Sequence, residues 1–317
     1  MKRGLLAQAA DFERVSEKLG RRPFDAIGHA LHQRCAMILE SRPAAEADRP
    51  AAAQGGHWAA ATAAVATAHG RIVDLAVCHR IDPNLAYRDR ALEEMRGLLA
   101  FPAWVDPSHK DLAADVMTGK AASAVAIGLD LLADEMTEAD VARCTGAIKD
   151  KALVPYLRAM EEEAFWTTCY HHWNAVINGG VGVAAVLLQD EQEAAPAALD
   201  RARGSLGAFF KALGREGGWD EGLGFWGLAM RYVLLLAESL DNVNGDGTLY
   251  GHRGMDATGL FPVYFTPNGL PVSFGDRPIA PAWGVFYLLA GRFALNEIAW
   301  WLDKYAFRHD VRTSGYC

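Results

Sequence analysis

Strand signals, paired cysteines and surplus positive charge are all scarce in this chain, and each shortage excludes something. Its 31 lysines and arginines stand against 39 aspartates and glutamates, a net charge of −8. A general nucleic-acid or anionic-membrane role is thereby disfavoured, although a locally basic cleft for an acidic substrate is not. The five cysteines, Cys35, Cys78, Cys144, Cys169 and Cys317, are scattered, odd in number and never in CxxC spacing. Neither a disulfide framework nor a cysteine-rich zinc site follows from them. There is no GxGxxG after a strand, no P-loop, no GxSxG and no HExxH. Nucleotide binding, serine hydrolysis and zincin chemistry have no positive support, and no metal or cofactor is expected. No apolar run reads as long enough to span a bilayer. The start reaches Asp11 and Glu13 too early for a secretory h-region. The chain as written carries no evident export signal and reads as cytoplasmic; the periplasm stays open if a leader has been trimmed away.

What is present is helix. The 317 residues are 51% hydrophobic, enough for one large core. Leu5 to Leu19 is amphipathic, and Pro23 to Leu39 follows with proline near a first turn. Trp58 to His69 is alanine-rich, and Arg71 to Arg80 continues it. Asn84 to Leu99 carries Leu92, Met95, Leu98 and Leu99 at helical spacing. Lys110 to Met136 is long and mostly apolar. Thr137 and the acidic residues after it predict an N-cap, with a helix running to about Ala164 and a break near Pro155. Glu191 to Leu213, Phe225 to Leu240 and Pro281 to Leu302 are further helices. No strict repeat is visible, so a fixed-period solenoid is unsupported. The one strand signal is Leu260 to Phe274, where Asn268-Gly269 lies between apolar runs and predicts a short edge hairpin.

One stretch combines polarity with this apolar helical pattern. In Tyr170-His171-His172-Trp173-Asn174-Ala175-Val176-Ile177-Asn178-Gly179-Gly180, His171, Asn174 and Asn178 share a helical face and His172 borders it. Gly179, Gly180 and Gly182 each cost about 1 kcal/mol against alanine in a helix interior. A close helix crossing, or a backbone approached by a ligand, would account for them. Buried polar groups need partners, so the stripe is expected to line a wet cavity. A second cluster, Gly217-Gly218-Trp219-Asp220-Glu221-Gly222-Leu223-Gly224-Phe225-Trp226, follows. Trp173, Trp219 and Trp226 are candidate sugar-stacking faces or core residues. Asp220 and Glu221 are candidate acid–base groups or an N-terminal cap. Asn242 to Gly247 resembles a calcium loop but lacks its acidic first and twelfth positions, and reads as a polar loop.

These two motifs, their order and their separation resemble the heparinase II/III and alginate-lyase superfamily of polysaccharide lyases. The family pattern at the first is similar to Asn-Asn-Trp-Asn-x-x-x-Asn-Gly-Gly, and here reads His171-His172-Trp173-Asn174 through Asn178-Gly179-Gly180. At the second the family resembles Asp-Gly-x-x-x-Glu-Gly-Pro-x-Tyr, and here Phe225 stands where the tyrosine would be. Phe101-Pro102-Ala103-Trp104 and Ser273-Phe274-Gly275-Asp276 add to the likeness, which covers about Ala91 to Asp276. The resemblance implies an all-α fold, an (α/α) toroid of helical hairpins. Residues 1–317 are expected to form that single domain, with one short β-hairpin near 261–274 and without the family's C-terminal β-sandwich.

The implied chemistry is β-elimination on a uronic-acid polysaccharide, such as alginate or a glycosaminoglycan. It needs a group to neutralise the carboxylate, a base for the C5 proton and an acid for the leaving O4. By the resemblance His171 takes the neutralising place and His172 its neighbour's. Neutral imidazole makes His172 the favoured base. Phe225 cannot exchange a proton, so Tyr232, seven residues on along the same helix face, is the first substitute and Tyr170 the second. Trp173, Asn174, Asn178, Trp219, Glu221, Phe225 and Trp226 are the candidate substrate-binding residues, with Glu221 also placed to hold a histidine. The expected partner is an acidic polysaccharide or oligosaccharide, with no nucleic acid and no membrane. An apolar face left by the absent sandwich makes room for a homodimer. The competing readings are a catalytically degenerate glycan-binding toroid and a glycoside hydrolase using Asp220 or Glu221 on an α/α scaffold.

Overall fold

Helix follows helix, and several boundaries have a local cause. In a computed structural model of the protein, the described residues are 3–22, 24–45, 59–266, 272 and 283–306. They form α1 (Ala9–Leu19), α2 (Phe24–Glu40), α3 (Ala59–Ile81), α4 (Leu85–Leu99), α5 (Val116–Leu132), α6 (Glu138–Ile148), α7 (Val154–Glu161), α8 (His172–Leu188), α9 (Ala194–Leu213), α10 (Gly222–Asn244), α11 (Leu260–Tyr264), α12 (Trp283–Phe293) and α13 (Asn296–Trp301). No strand occurs among the described residues.

The caps explain where prediction and structure part. Asn84 accepts from Ala86 N and starts α4, and Thr137 accepts from Asp140 N and starts α6. The helix expected from Lys110 begins only at Val116. There Asp115 accepts from Met117 N and Thr118 N, while the Thr118 hydroxyl accepts from Asp115 N. This reciprocal box sets the first turn. Pro155 breaks nothing: it sits in the first turn of α7, where its missing N–H costs little, and a π turn at Lys149–Leu153 joins α6 to α7. The polar loop expected at 242–247 is partly helix, since α10 runs to Asn244 and stops at Gly245, which has φ 66°.

The hairpin expectation fails in its first arm. Leu260–Tyr264 is helical, because Phe261 and Phe265 meet at i, i+4 spacing with rings 4.9 Å apart and Phe261 also packs towards Trp226. Pro262 falls in the first turn, where a helix tolerates it. The chain does double back, since Val272 N donates to Phe265 O at 2.7 Å. The Asn268-Gly269 turn and the rest of the second arm lie outside the described residues.

Packing is organised around α8. It lies between α5 and α10, and α5 in turn lies between α3 and α8. Helices α4 and α9 back this row, on α3 and α8 respectively, and α7 packs on α9. Every residue of α5 is buried, and every residue of α8 but Trp173. The glycines make this closeness attainable. A Cβ on Gly180 would lie 2.0 Å from Gly119 O of α5, and one on Gly179 would lie 2.4 Å from Tyr232 O of α10. A Cβ on Gly182 would lie 2.7 Å from Cδ2 of the Leu236 side chain of α10. Residue numbers rise together along this second seam, so α8 and α10 run parallel and their N-termini lie side by side. The cost of about 1 kcal/mol per glycine is outweighed by complete burial of Val176, Ile177, Val181, Val183, Val186, Leu187 and Leu188, each worth about 1.5–3 kcal/mol.

Two helical stretches, Val116–Glu135 and Gly222–Asn244, are long and apolar enough to cross a membrane, contrary to the sequence reading. Their apolar windows are 89% and 72% buried inside the fold, which is what core helices of this length look like.

Gly180→Ala is expected to destabilise the protein by about 3 kcal/mol, because the contact is with backbone and cannot rotate away. Gly204→Ala on α9, where an added Cβ meets nothing within 4 Å, is expected to stabilise it by about 0.5–1 kcal/mol. Urea denaturation followed by far-ultraviolet circular dichroism reads both; equal shifts would contradict the crossing.

Candidate functional site

The parallel start of α8 and α10 puts two N-terminal caps in reach of each other. His171 is the N-cap of α8 and Glu221 the N-cap of α10, and neither side chain caps its own helix. Glu221 instead reaches across. Its Oε2 accepts from His172 N at 2.7 Å, and its Oε1 lies 2.8 Å from His172 Nδ1. A carboxylate only accepts, so Nδ1 carries a proton, and in the neutral ring the lone pair is the one on Nε2. A negative charge on the first turn of α8 is also favoured by the helix dipole. The His172 ring stacks on Phe225, with centroids 4.0 Å apart and planes 11° from parallel. The His172 and Glu221 side chains are 11% and 20% exposed, enough for a small group to reach them.

His171 stands beside this pair, its ring 5.8 Å from that of His172 and 6.0 Å from Phe165. Burial pushes its pKa below the usual imidazole value, and the neighbouring His172 adds to this, while Glu221 and Asp220 oppose it. Trp173, half-buried, packs its ring 5.1 Å from both His109 and Phe165. His109 Nδ1 bonds Asp115 Oδ2 at 2.7 Å, so a second imidazole–carboxylate pair lies behind Trp173. Tyr170 is 58% exposed.

The two asparagines do not line a wet cavity. Both are 0% exposed. Asn178 Nδ2 donates to Asn174 O and Ser205 Oγ, and its Oδ1 accepts from Tyr156 at 2.6 Å. Asn174 Nδ2 donates to Trp166 O and Ser205 Oγ, each at 3.0 Å. The partners come from α7, α9 and the Trp166–Thr167 turn, all outside α8. The stripe is therefore satisfied by protein, and it clamps α8 to its outer neighbours. Asn174 Oδ1 is the exception, buried with no partner among the described residues.

The later aromatics separate in the same way. Trp226 is 2% exposed and donates its Nε1 to Thr258 Oγ1, which donates to Gly217 O. Trp219 is 3% exposed, its ring 5.0 Å from Phe209. Neither presents a face to a sugar; both are core. Tyr232 lies seven residues beyond Phe225, about 10 Å along the helix. It is 2% exposed, its ring 5.7 Å from that of His69. The structure thus brings together His171, His172, Glu221, Phe225 and, at the edge, Trp173. It sets Asn174, Asn178, Trp219, Trp226 and Tyr232 apart from them.

The sequence reading singled out neither His69 nor the pair Tyr156 and Ser205. His69 has no hydrogen-bond partner for Nε2 among the described residues and is pushed down to about 3 by burial, with the charges of Arg231 and Lys120 adding to it. It lines a cavity of about 330 Å³ with Leu6, Val73, Arg231, Glu238 and Leu288. A lone histidine in an alanine-rich helix was the only available signal. Tyr156 and Ser205 gave none, because each meets the asparagines only through tertiary packing.

No protein-family model and no curated protein matches the chain.

Asn178→Ala is expected to cost about 2–4 kcal/mol, since it leaves the buried Tyr156 hydroxyl without its acceptor; a cleft-lining asparagine would cost almost nothing. The His69 shift sets a pH slope. The unfolded imidazole binds a proton below its ordinary value of 6.5 and the folded one only near 3. Unfolding free energy therefore falls as pH drops from about 6.5, by up to about 1.4 kcal/mol per unit. His69→Phe is expected to flatten that slope between pH 6.5 and 5, measured by urea titration; an unchanged slope would assign it to other groups.

Proposed function

We propose that the chain is an (α/α) toroid of helical hairpins that acts as a polysaccharide lyase, by β-elimination on a uronic-acid-containing polysaccharide. The toroid reading is supported by the row α3, α5, α8 and α10 with α4 and α9 behind it. It is supported further by α3 and α10, the two ends of that row, lining one cavity with α12, as a row that curls would do.

The observation that carries the chemistry is the His172–Glu221 pair. With Nδ1 protonated and anchored, Nε2 is a base of fixed orientation, suited to removing the C5 proton of a uronate. His171, kept neutral by its burial, supplies an N–H donor to the substrate carboxylate and lowers the cost of the developing enolate. Phe225 backs the His172 ring and offers no proton. Tyr232 is buried about two turns away. The proton returned to O4 therefore comes from His172 itself, in an elimination where base and leaving group share one face. Trp173 is the aromatic left at the rim for a sugar.

The same Phe225 supports the second reading, a glycan-binding toroid without catalysis. The hydrolase reading is weaker, because both oxygens of Glu221 are engaged by His172.

An ultraviolet assay for the unsaturated product, run on alginates, glycosaminoglycans and glucuronan, tests the proposal. The expected result is a rising absorbance that His172→Ala abolishes and Glu221→Gln lowers by about 10²–10⁴-fold. A flat trace with saturable oligosaccharide binding would establish the binding reading instead. New reducing ends without absorbance would establish hydrolysis.

A further inference from the structure

The His171–His172–Glu221 group has a second chemical capacity that the sequence reading did not expect. One donor atom from each of the three residues lies within 4.8 Å of the other two. Two imidazoles and one carboxylate are a ligand set that zinc takes with its fourth position open. The set is hidden in the sequence because the carboxylate lies 49 residues after the histidine that it touches.

We propose that His171, His172 and Glu221 form a zinc site at the paired N-termini of α8 and α10. Tetrahedral zinc with nitrogen and oxygen ligands at about 2.0–2.1 Å holds its donors about 3.3 Å apart. The Nδ1 to Oε1 distance is 2.8 Å and opens by about half an ångström when the metal replaces the proton between them. Oε2 stays on His172 N, a backbone anchor of the kind that orients a metal-ligating carboxylate. Phe225 holds the His172 ring in plane. His171 closes the set by rotation of its side chain, which carries no hydrogen bond among the described residues and is half-buried at the rim. The two helix N-termini oppose a cation, and the Glu221 carboxylate offsets them. The fourth position faces the open side of the group and takes water or an anionic oxygen.

The inference rests on donor geometry and not on the lyase reading. Zinc and the Nδ1 proton exclude each other, so metal-loaded and metal-free chains differ at His172. Binding is read without any substrate, and its failure leaves the elimination proposal where it stood.

The test is calorimetric titration of the full chain, carrying no polyhistidine tag, with zinc chloride, and absorption spectroscopy with cobalt(II). The expected result is one equivalent bound, with the intense visible bands of four- or five-coordinate cobalt. His171→Ala and Glu221→Gln should each weaken binding by at least about 100-fold, with thermal unfolding confirming that both variants fold. His171→Ala removes a donor without breaking a hydrogen bond, so it isolates ligation from stability. His29→Gln, on α2 and remote in the chain from the group, should leave the titration unchanged. Absence of stoichiometric binding, or binding that survives both His171→Ala and Glu221→Gln, would overturn the site.

Discussion

The close seating of α8 between α5 and α10 is the constraint on which the rest depends. Backbone meets backbone at Gly180 and Gly119, and again at Gly179 and Tyr232. Side chains at these positions would push the helices apart. With the parallel helices α8 and α10 at this spacing, their first residues are neighbours. Only then does a carboxylate at the start of one helix reach the first amide and the imidazole of the other. The glycines act twice, in packing the core and in assembling the group at its edge.

That group sits on a rigid base. Beneath His172, Asn174 and Asn178 bind Ser205 of α9, and Asn178 also binds Tyr156 of α7. Buried amides are costly when unpaired and specific when paired, so this network fixes α8 against its outer layer. Burial raises the Tyr156 hydroxyl well above its usual pKa, which keeps it a donor to Asn178. The result is an imidazole whose backbone, ring plane and tautomer are all determined by neighbours. Such orientation is useful whether the imidazole moves a proton or holds a metal, and it explains why one small cluster supports both readings.

Phe225 contributes more to the group than the absence of a hydroxyl. A ring stacked at 4.0 Å shields one face of His172 and leaves its edge uncovered by that ring. Tyr232 faces inward: its ring meets His69 in the interior, and its carbonyl is the surface on which Gly179 rests. A tyrosine seven residues along the same helix face is near in projection but far in depth.

The amino-acid sequence by itself determined the helical class, because apolar periodicity and alanine content act locally. It determined the starts at Asn84 and Thr137, where a side chain caps its own helix, and it showed in the glycine run that something must approach α8. It misplaced what depends on neighbours. Asp115 moved the start of α5, the i, i+4 contact of Phe261 with Phe265 turned an expected strand into a helical turn, and the wet stripe became a dry network. Helical spacing says which residues share a face; it does not say what that face meets. Only tertiary packing decided that Asn174, Asn178, Trp219 and Trp226 are core and that Glu221 crosses to His172. The reason is that a polar side chain in the interior is governed by partners from other helices, and sequence distance carries no information about them.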